Sequence, residues 1–155
     1  MLIGFFKSEN AVKRSLVLGE CVSLVRYINS QIDYTDDTLQ KIIFRAAESG
    51  EYTHLLFLNE LSCGVYEKGF DELWSEGVEK SCGKPCFDSR TVHALKSFGQ
   101  KLGKSDSAGQ KELCANFEQE FLRLYTTAEQ NKAEKIKLYR VTGLAAGIII
   151  FIFVI

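Results

Sequence analysis

The chain has 155 residues, of which 46% are apolar and 25% are charged, and this composition suits one globular domain with a hydrophobic core. Nineteen basic and 20 acidic residues give a formal charge of −1, so no overall field attracts nucleic acid. The five cysteines are odd in number and scattered, unlike a disulfide framework. We therefore expect one domain with reduced thiols and no nucleic-acid partner.

Apolar residues recur mostly every three or four positions, which predicts helices along most of the chain. A first helix is expected from about Ser8 to Ile32, followed by a polar break, DYTDDT, that suits helix capping. A second helix, LQKIIFRAAES, runs to Gly50, a residue typical of helix ends. Thr53 is expected to cap a third helix, HLLFLNELSCGVYEKG, that ends at Gly69.

A short helix then begins at Asp71 and carries Trp74 on its apolar side, and its acidic residues form a solvated face. The single proline lies in the turn CGKPC, after which Asp88 or Ser89 caps a further helix. The last helix starts after Ser105 and continues towards the C-terminus. The sequence therefore predicts an all-α fold, a compact bundle of about six helices whose long C-terminal helix continues into a membrane span.

The stretch GQKLGKS ends like a nucleotide-binding P-loop, but it has three residues instead of four before its Gly-Lys-Ser and follows a helical pattern, not a strand. We interpret it as a tight corner between two antiparallel helices. Gly99 permits close helix packing, and Gly103 ends one helix in the left-handed conformation. Ser105 or Asp106 then caps the next helix, and Lys104 is an exposed linker residue.

Other reactive residues do not form a recognisable site. Cys82 and Cys86 have a spacing that a zinc loop tolerates, but further ligands would have to come from Cys63, His54 or His93 on separate helices. His93 with a cysteine would pair a base with a nucleophile, yet no third group is placed to orient them. The sequence therefore predicts reduced, partly buried thiols, with no metal, no cofactor and no catalytic residue.

The chain ends in the uncharged run VTGLAAGIIIFIFVI, in which ten residues are Leu, Ile, Phe or Val. Each contributes roughly 0.3 to 0.6 kcal/mol to insertion at a helix centre, which favours a membrane helix over Val141–Ile155. The alternative is a buried core helix, which would need apolar partners on every side. Gly143 and Gly147 form a GxxxG pattern that either packs two membrane helices or reflects how common glycine is in such helices.

A basic segment, NKAEKIKLYR, precedes this run and contains Lys132, Lys135, Lys137 and Arg140. Because Lys and Arg stay on the cytoplasmic side of a membrane, the folded domain is expected to face the cytoplasm. The expected organisation is a remnant of an N-terminal membrane helix (1–7), a helical bundle (8–128), a basic juxtamembrane stalk (129–140) and a C-terminal transmembrane helix (141–155).

Several segments resemble one known family. LKSFGQKLGKSDSAGQ, followed by a long helix and KLYRVTGLAAGIIIFIFVI, is similar to the stage III sporulation protein AB family of endospore-forming bacteria, which has an FGxxLGxSDxxxQ-type corner and a C-terminal membrane helix. ELWSEGVEK and YINSQIDYTDDTLQKI also resemble segments of that family. The residues that match the corner are Phe98, Gly99, Leu102, Gly103, Ser105, Asp106 and Gln110.

The resemblance implies a cytoplasmic helical domain similar to that of the platform protein of type II secretion and type IV pilus systems. It implies a non-enzymatic scaffold subunit of the channel complex between mother cell and forespore, anchored in the outer forespore membrane with its domain on the mother-cell side. The implied partners are the other channel subunits, including a hexameric secretion-type ATPase (protein AA), and no small-molecule substrate.

Two features leave alternatives open. Family members usually begin with a full membrane helix, and here only MLIGFF stands in its place, so one or two membrane passes are expected. A platform-like subunit of a type II secretion or type IV pilus system is the alternative function, and a thiol- or zinc-dependent enzyme is a third.

Overall fold

A computed structural model describes residues 2–35, 37–63, 69–81 and 86–154, with side chains described between 9 and 138 in those ranges except at 33, 62, 63 and 135. These residues form six helices and no strand, which confirms the predicted all-α bundle. The helices are α1 (Leu2–Tyr34), α2 (Leu39–Glu48), α3 (Phe57–Cys63), α4 (Phe70–Ser81), α5 (Ser89–Lys101) and α6 (Ser107–Val154).

The two longest helices, α1 with 33 residues and α6 with 48, pack against each other in antiparallel orientation. Arg26 Nε of α1 lies 2.6 Å from Glu118 Oε1 of α6. Three turns earlier in α1, the Ser15 hydroxyl donates to Glu129, which lies three turns later in α6. The start of α1 and the end of α6 are therefore at the same end of the bundle.

A chain of aromatic rings crosses the core between these helices and the shorter ones. Successive ring centroids from Phe57 through Trp74, Phe98 and Phe117 to Phe121 are 5.1 to 6.2 Å apart, in edge-to-face or tilted arrangements. Such pairs each contribute roughly 0.5 to 1.5 kcal/mol beyond the burial of their apolar area. Trp74 and Phe98 have no exposed surface, so α4 and α5 supply the centre of this core.

The predicted start of the third helix is wrong, because α3 begins at Phe57 and Thr53 does not cap it. The preceding turn is held by α1 instead. The backbone N–H groups of His54 and Leu55 donate to Glu20 Oε2, at 2.8 and 3.2 Å. The backbone N–H groups of this turn are therefore satisfied by a carboxylate more than thirty residues earlier in the chain, and not by the side chain of Thr53.

Other predicted boundaries differ in length or lie outside the described residues. α1 extends beyond both predicted ends, Ser8 and Ile32. The predicted last turns of the third helix (64–68) and most of the turn CGKPC (82–85) lie outside the described part, whereas Gly69, the predicted end, is described and directly precedes α4. At the end of α2, Gly50 has a φ of +71°, the left-handed conformation expected at a helix stop.

The last helix, α6, remains helical to Val154. Within the described part of the chain, however, no helix has the length and apolar character needed to cross a membrane. The predicted continuation of the bundle into a membrane span is therefore not supported by the structure. The side chains of residues 139–155, which include the whole of that segment, lie outside the described ones.

The closest approach between α4 and α5 occurs at Gly99. A Cβ atom built there would lie 2.1 Å from Cδ1 of Trp74, well inside van der Waals contact. The indole cannot easily yield, since it is completely buried and its Nε1 donates to the Leu95 carbonyl at 2.7 Å. Gly99 is therefore the position at which α5 accepts the tryptophan against its backbone.

We expect Gly99→Ala to lower the free energy of unfolding by about 1 to 3 kcal/mol, because the added methyl overpacks the contact with Trp74. Thermal unfolding followed by circular dichroism measures the change. Gln100→Ala is the matched control, because Gln100 is the next residue of the same helix and is exposed. Equal melting temperatures for the two variants would contradict the close approach.

Candidate interaction surfaces

The stretch from Leu102 to Asp106 turns the chain from α5 into α6. Leu102 is buried, and Gly103 has a φ of +81°, a conformation that side chains disfavour. At the start of α6, Asp106 Oδ1 accepts a hydrogen bond from the Gly109 N–H at 3.0 Å, as an N-cap does. This stretch is a helix corner.

Gln110 closes the corner from inside, a role that sequence reasoning did not assign to it. Its side chain is 4% exposed. Its Oε1 accepts from the Gly103 N–H at 3.0 Å, and its Nε2 donates to Ser105 Oγ at 2.7 Å. The structure thus brings Gly103, Ser105 and Gln110 into one network, while Phe98 and Gly99 lie further back in the core.

The lysine of the corner points to solvent and makes a surface ion pair. Lys104 Nζ lies 3.3 Å from Asp71 Oδ2 of α4, and the lysine side chain is 61% exposed. The hydrogen bond and the charge of Lys104 lower the pKa of Asp71. The lysine is therefore directed at a carboxylate of its own chain, unlike a P-loop lysine, which reaches a nucleotide phosphate.

The two histidines are in separate environments, and no contact of either with a described cysteine is seen. His54 Nδ1 lies 2.5 Å from Glu20 Oε1 and helps to hold the turn before α3. His93 is exposed on α5. Among the described residues, no group of three His, Cys, Asp or Glu side chains is arranged to hold a metal ion. Of the proposed zinc pair, Cys82 lies outside the described residues and Cys86 is half-buried.

The described core cysteines are poor nucleophiles. Cys21 and Cys114 are free and buried. Burial raises the pKa of both thiols, and raises that of Cys114 to about 11. A thiol with so high a pKa carries little thiolate near neutral pH, and the thiolate is the reactive form.

A groove of about 570 Å³ runs between α1, α5 and α6, and we call it the arginine groove. Each of the three helices contributes one arginine to its walls: Arg14 from α1, Arg90 from α5 and Arg123 from α6. The remaining lining residues are Ser89, His93, Glu120, Leu124 and Thr127. Sequence reasoning missed this site, because its three cations are far apart in the chain.

Asp88 fixes one of these arginines. Its Oδ2 lies 2.6 Å from Arg14 Nη2, and its Oδ1 accepts from the Thr91 N–H at 3.0 Å as the N-cap of α5. Both carboxylate oxygens are thus engaged. Arg90 and Arg123 are exposed, and their guanidinium groups have no ion-pair partner within the described part of the chain. The groove therefore presents more positive than negative charge.

The basic segment before the C-terminal run is described only in part. Lys132 donates to Glu129 Oε1 at 3.2 Å, and Lys137 is exposed. Lys135, Arg140, Gly143 and Gly147 lie in α6, but their side-chain surroundings are outside the described ones. The predicted packing of a second membrane helix on the two glycines stays a prediction.

Replacing Gln110 by leucine should open the corner network and lower the free energy of unfolding by about 1 kcal/mol, because the Gly103 N–H loses its acceptor. Urea unfolding measures the difference. Gln119→Leu makes the same substitution at an exposed position of α6 and serves as the control. If Gln110→Leu is as stable as the control, the network does not stabilise the corner.

We expect Cys21 and Cys114 to resist alkylation by iodoacetamide at about pH 8 in the folded protein, because both are buried and have raised pKa values. The half-buried Cys86 should react faster. Mass spectrometry of peptides gives the extent of reaction at each position, and the same labelling in denaturant provides the unprotected rate. Alkylation of Cys114 at the unprotected rate would show that its thiol is accessible.

Comparison with known proteins identifies the family. A family model described as stage III sporulation protein AB matches residues 1–155. No curated protein and no solved structure matches the chain. The resemblance inferred from the corner and the C-terminal run is confirmed, and because the match extends over every residue of the sequence, the chain belongs to the stage III sporulation protein AB family.

Proposed function

We propose that the protein is a membrane-anchored scaffold subunit of the channel complex between mother cell and forespore. Its family membership over residues 1–155 supports a role in sporulation. The observation that supports the scaffold role is the antiparallel pairing of α1 and α6. This pairing brings the first residues of α1 and the basic segment of α6 to the same end of the bundle.

The C-terminal run is separated from the core by helix. Among the described side chains, the last buried one in α6 is that of Ala128, and α6 continues from there to Val154. At 1.5 Å per residue, the distance from Ala128 to Val141 is about 20 Å. Leu138 in this stretch is 61% exposed, as in a stalk that leaves the core. The part of α6 that packs in the bundle and the part that carries the apolar run are therefore distinct.

The proposal of a membrane anchor rests on the chemistry of residues 141–155. Their apolar side chains favour insertion, and basic residues on one side favour the cytoplasmic orientation and an anionic membrane surface. The bundle would then face the mother-cell cytoplasm from the outer forespore membrane. The start of α1 would lie near the same membrane, because it is at the same end as the basic segment.

The proposed partners are other subunits of the channel complex, including a hexameric secretion-type ATPase. ATP hydrolysis would belong to the partner. The family match favours the sporulation channel over a type II secretion or type IV pilus system.

The anchor is tested by deleting Val141–Ile155 and following the protein in membrane and soluble fractions of sporulating cells that lack their own family member. The full chain should sediment with membranes and restore spore formation. The deletion should be soluble and inactive. Replacing the segment with an unrelated single-pass helix is the control, and it should restore sedimentation with membranes. A deletion product that still sediments with membranes would place the anchor elsewhere.

A further inference from the structure

We propose that the arginine groove binds an acidic segment of a partner protein. The inference rests on the proposed function, because it identifies the surface through which the anchored scaffold would hold another subunit. The groove is separate from the helix corner and from the basic segment next to the apolar run. Its chemistry and its distance from that run both favour a protein ligand.

The described residues neutralise only one of the three cations of the groove, because Arg14 pairs with Asp88. Asp88 is already shared between Arg14 and the cap of α5, so it has no free oxygen for another arginine. Arg14 Nε is buried and has no hydrogen-bond partner within the described part of the chain. Arg90 and Arg123, unlike Arg14, have no ion-pair partner there. Guanidinium groups bind carboxylates through paired hydrogen bonds, so an acidic side chain is the complementary ligand.

The other lining residues favour a peptide over a free phosphate. Glu120 lies among the arginines and would repel a free phosphate, whereas a protein segment can place a basic residue opposite Glu120 and acidic residues opposite the arginines. Leu124 adds apolar surface, and Thr127 adds a hydroxyl group. The residues from Glu120 to Thr127 extend about 10 Å along α6. That length matches two turns of a partner helix.

The position of the groove argues against a lipid headgroup. Along α6, Thr127 and Glu120 lie about 21 and 32 Å from Val141, where the apolar run begins. The field of an anionic membrane falls off over about 8 Å at physiological ionic strength. Lys132 and Lys137 are closer to the run and better placed for headgroups. The groove therefore faces the space in which another subunit's cytoplasmic part would lie.

The test uses the purified full chain in detergent and a fluorescent helical peptide of Glu and Ala with one Lys. Fluorescence anisotropy measures binding. The double variant R90E/R123E should bind about tenfold more weakly, because two attractive contacts become repulsive. The control K41E/K104E reverses two exposed charges outside the groove and should stay within about twofold of the unchanged protein. The affinity of the neutral double variant R90Q/R123Q should lie between the affinities of R90E/R123E and K41E/K104E.

Three results would overturn the proposal: equal weakening by both double reversals, displacement of the peptide by inorganic phosphate at low concentration, or binding of anionic vesicles that depends on Arg90 and Arg123. Circular dichroism melting shows whether each variant is folded. If R90E/R123E has a lowered melting temperature, the affinity of R90Q/R123Q for the peptide is the deciding measurement. An affinity of R90Q/R123Q equal to that of the unchanged protein would refute the inference.

In sporulating cells, R90E/R123E should sediment with membranes like the unchanged protein but restore few spores. Normal spore formation by this variant would refute the role of the groove and leave the anchored scaffold standing. Loss of membrane sedimentation on deletion of Val141–Ile155 tests the anchor separately. The two proposals therefore fail in different measurements.

Discussion

The antiparallel contact between α1 and α6 is the constraint on which the rest of the structure depends. Its register, visible in pairs such as Arg26 with Glu118, places the start of α1 and the end of α6 at one end of the bundle. The four shorter helices complete the core against this pair. A slip of one turn, about 5 Å, would separate these pairs and displace Arg123 relative to Arg14.

The short helix α5 is positioned at both of its ends by different kinds of interaction. At its start, Asp88 caps the helix and binds Arg14 of α1, so one carboxylate connects two elements. Near its end, Gly99 receives the Trp74 ring, and the corner then turns the chain into α6. The polar contact positions the wall of the arginine groove, and the apolar contact determines how closely α4 and α5 pack.

The sequence predicted those features that depend on residues close together in the chain. Helical periodicity indicated all six helices, and the corner glycines indicated where α5 ends, because helix caps are local. Features that depend on distant residues were not predictable. Glu20 of α1 accepts hydrogen bonds from the turn before α3, and the arginine groove joins positions 14, 90 and 123. The first contact requires α1 to pack against the turn before α3, and the second requires α1, α5 and α6 to meet.

The separation along α6 would give the proposed scaffold two surfaces that act independently. The basic segment near Lys137 lies next to the apolar run, whereas Arg123 lies about 27 Å from Val141 along the same helix. Because charges exposed to solvent are screened over about 8 Å, binding at one surface changes the electrostatic potential at the other very little. A continuous helix transmits position instead, so the depth of an anchor over residues 141–155 would set the height at which the arginine groove meets a partner.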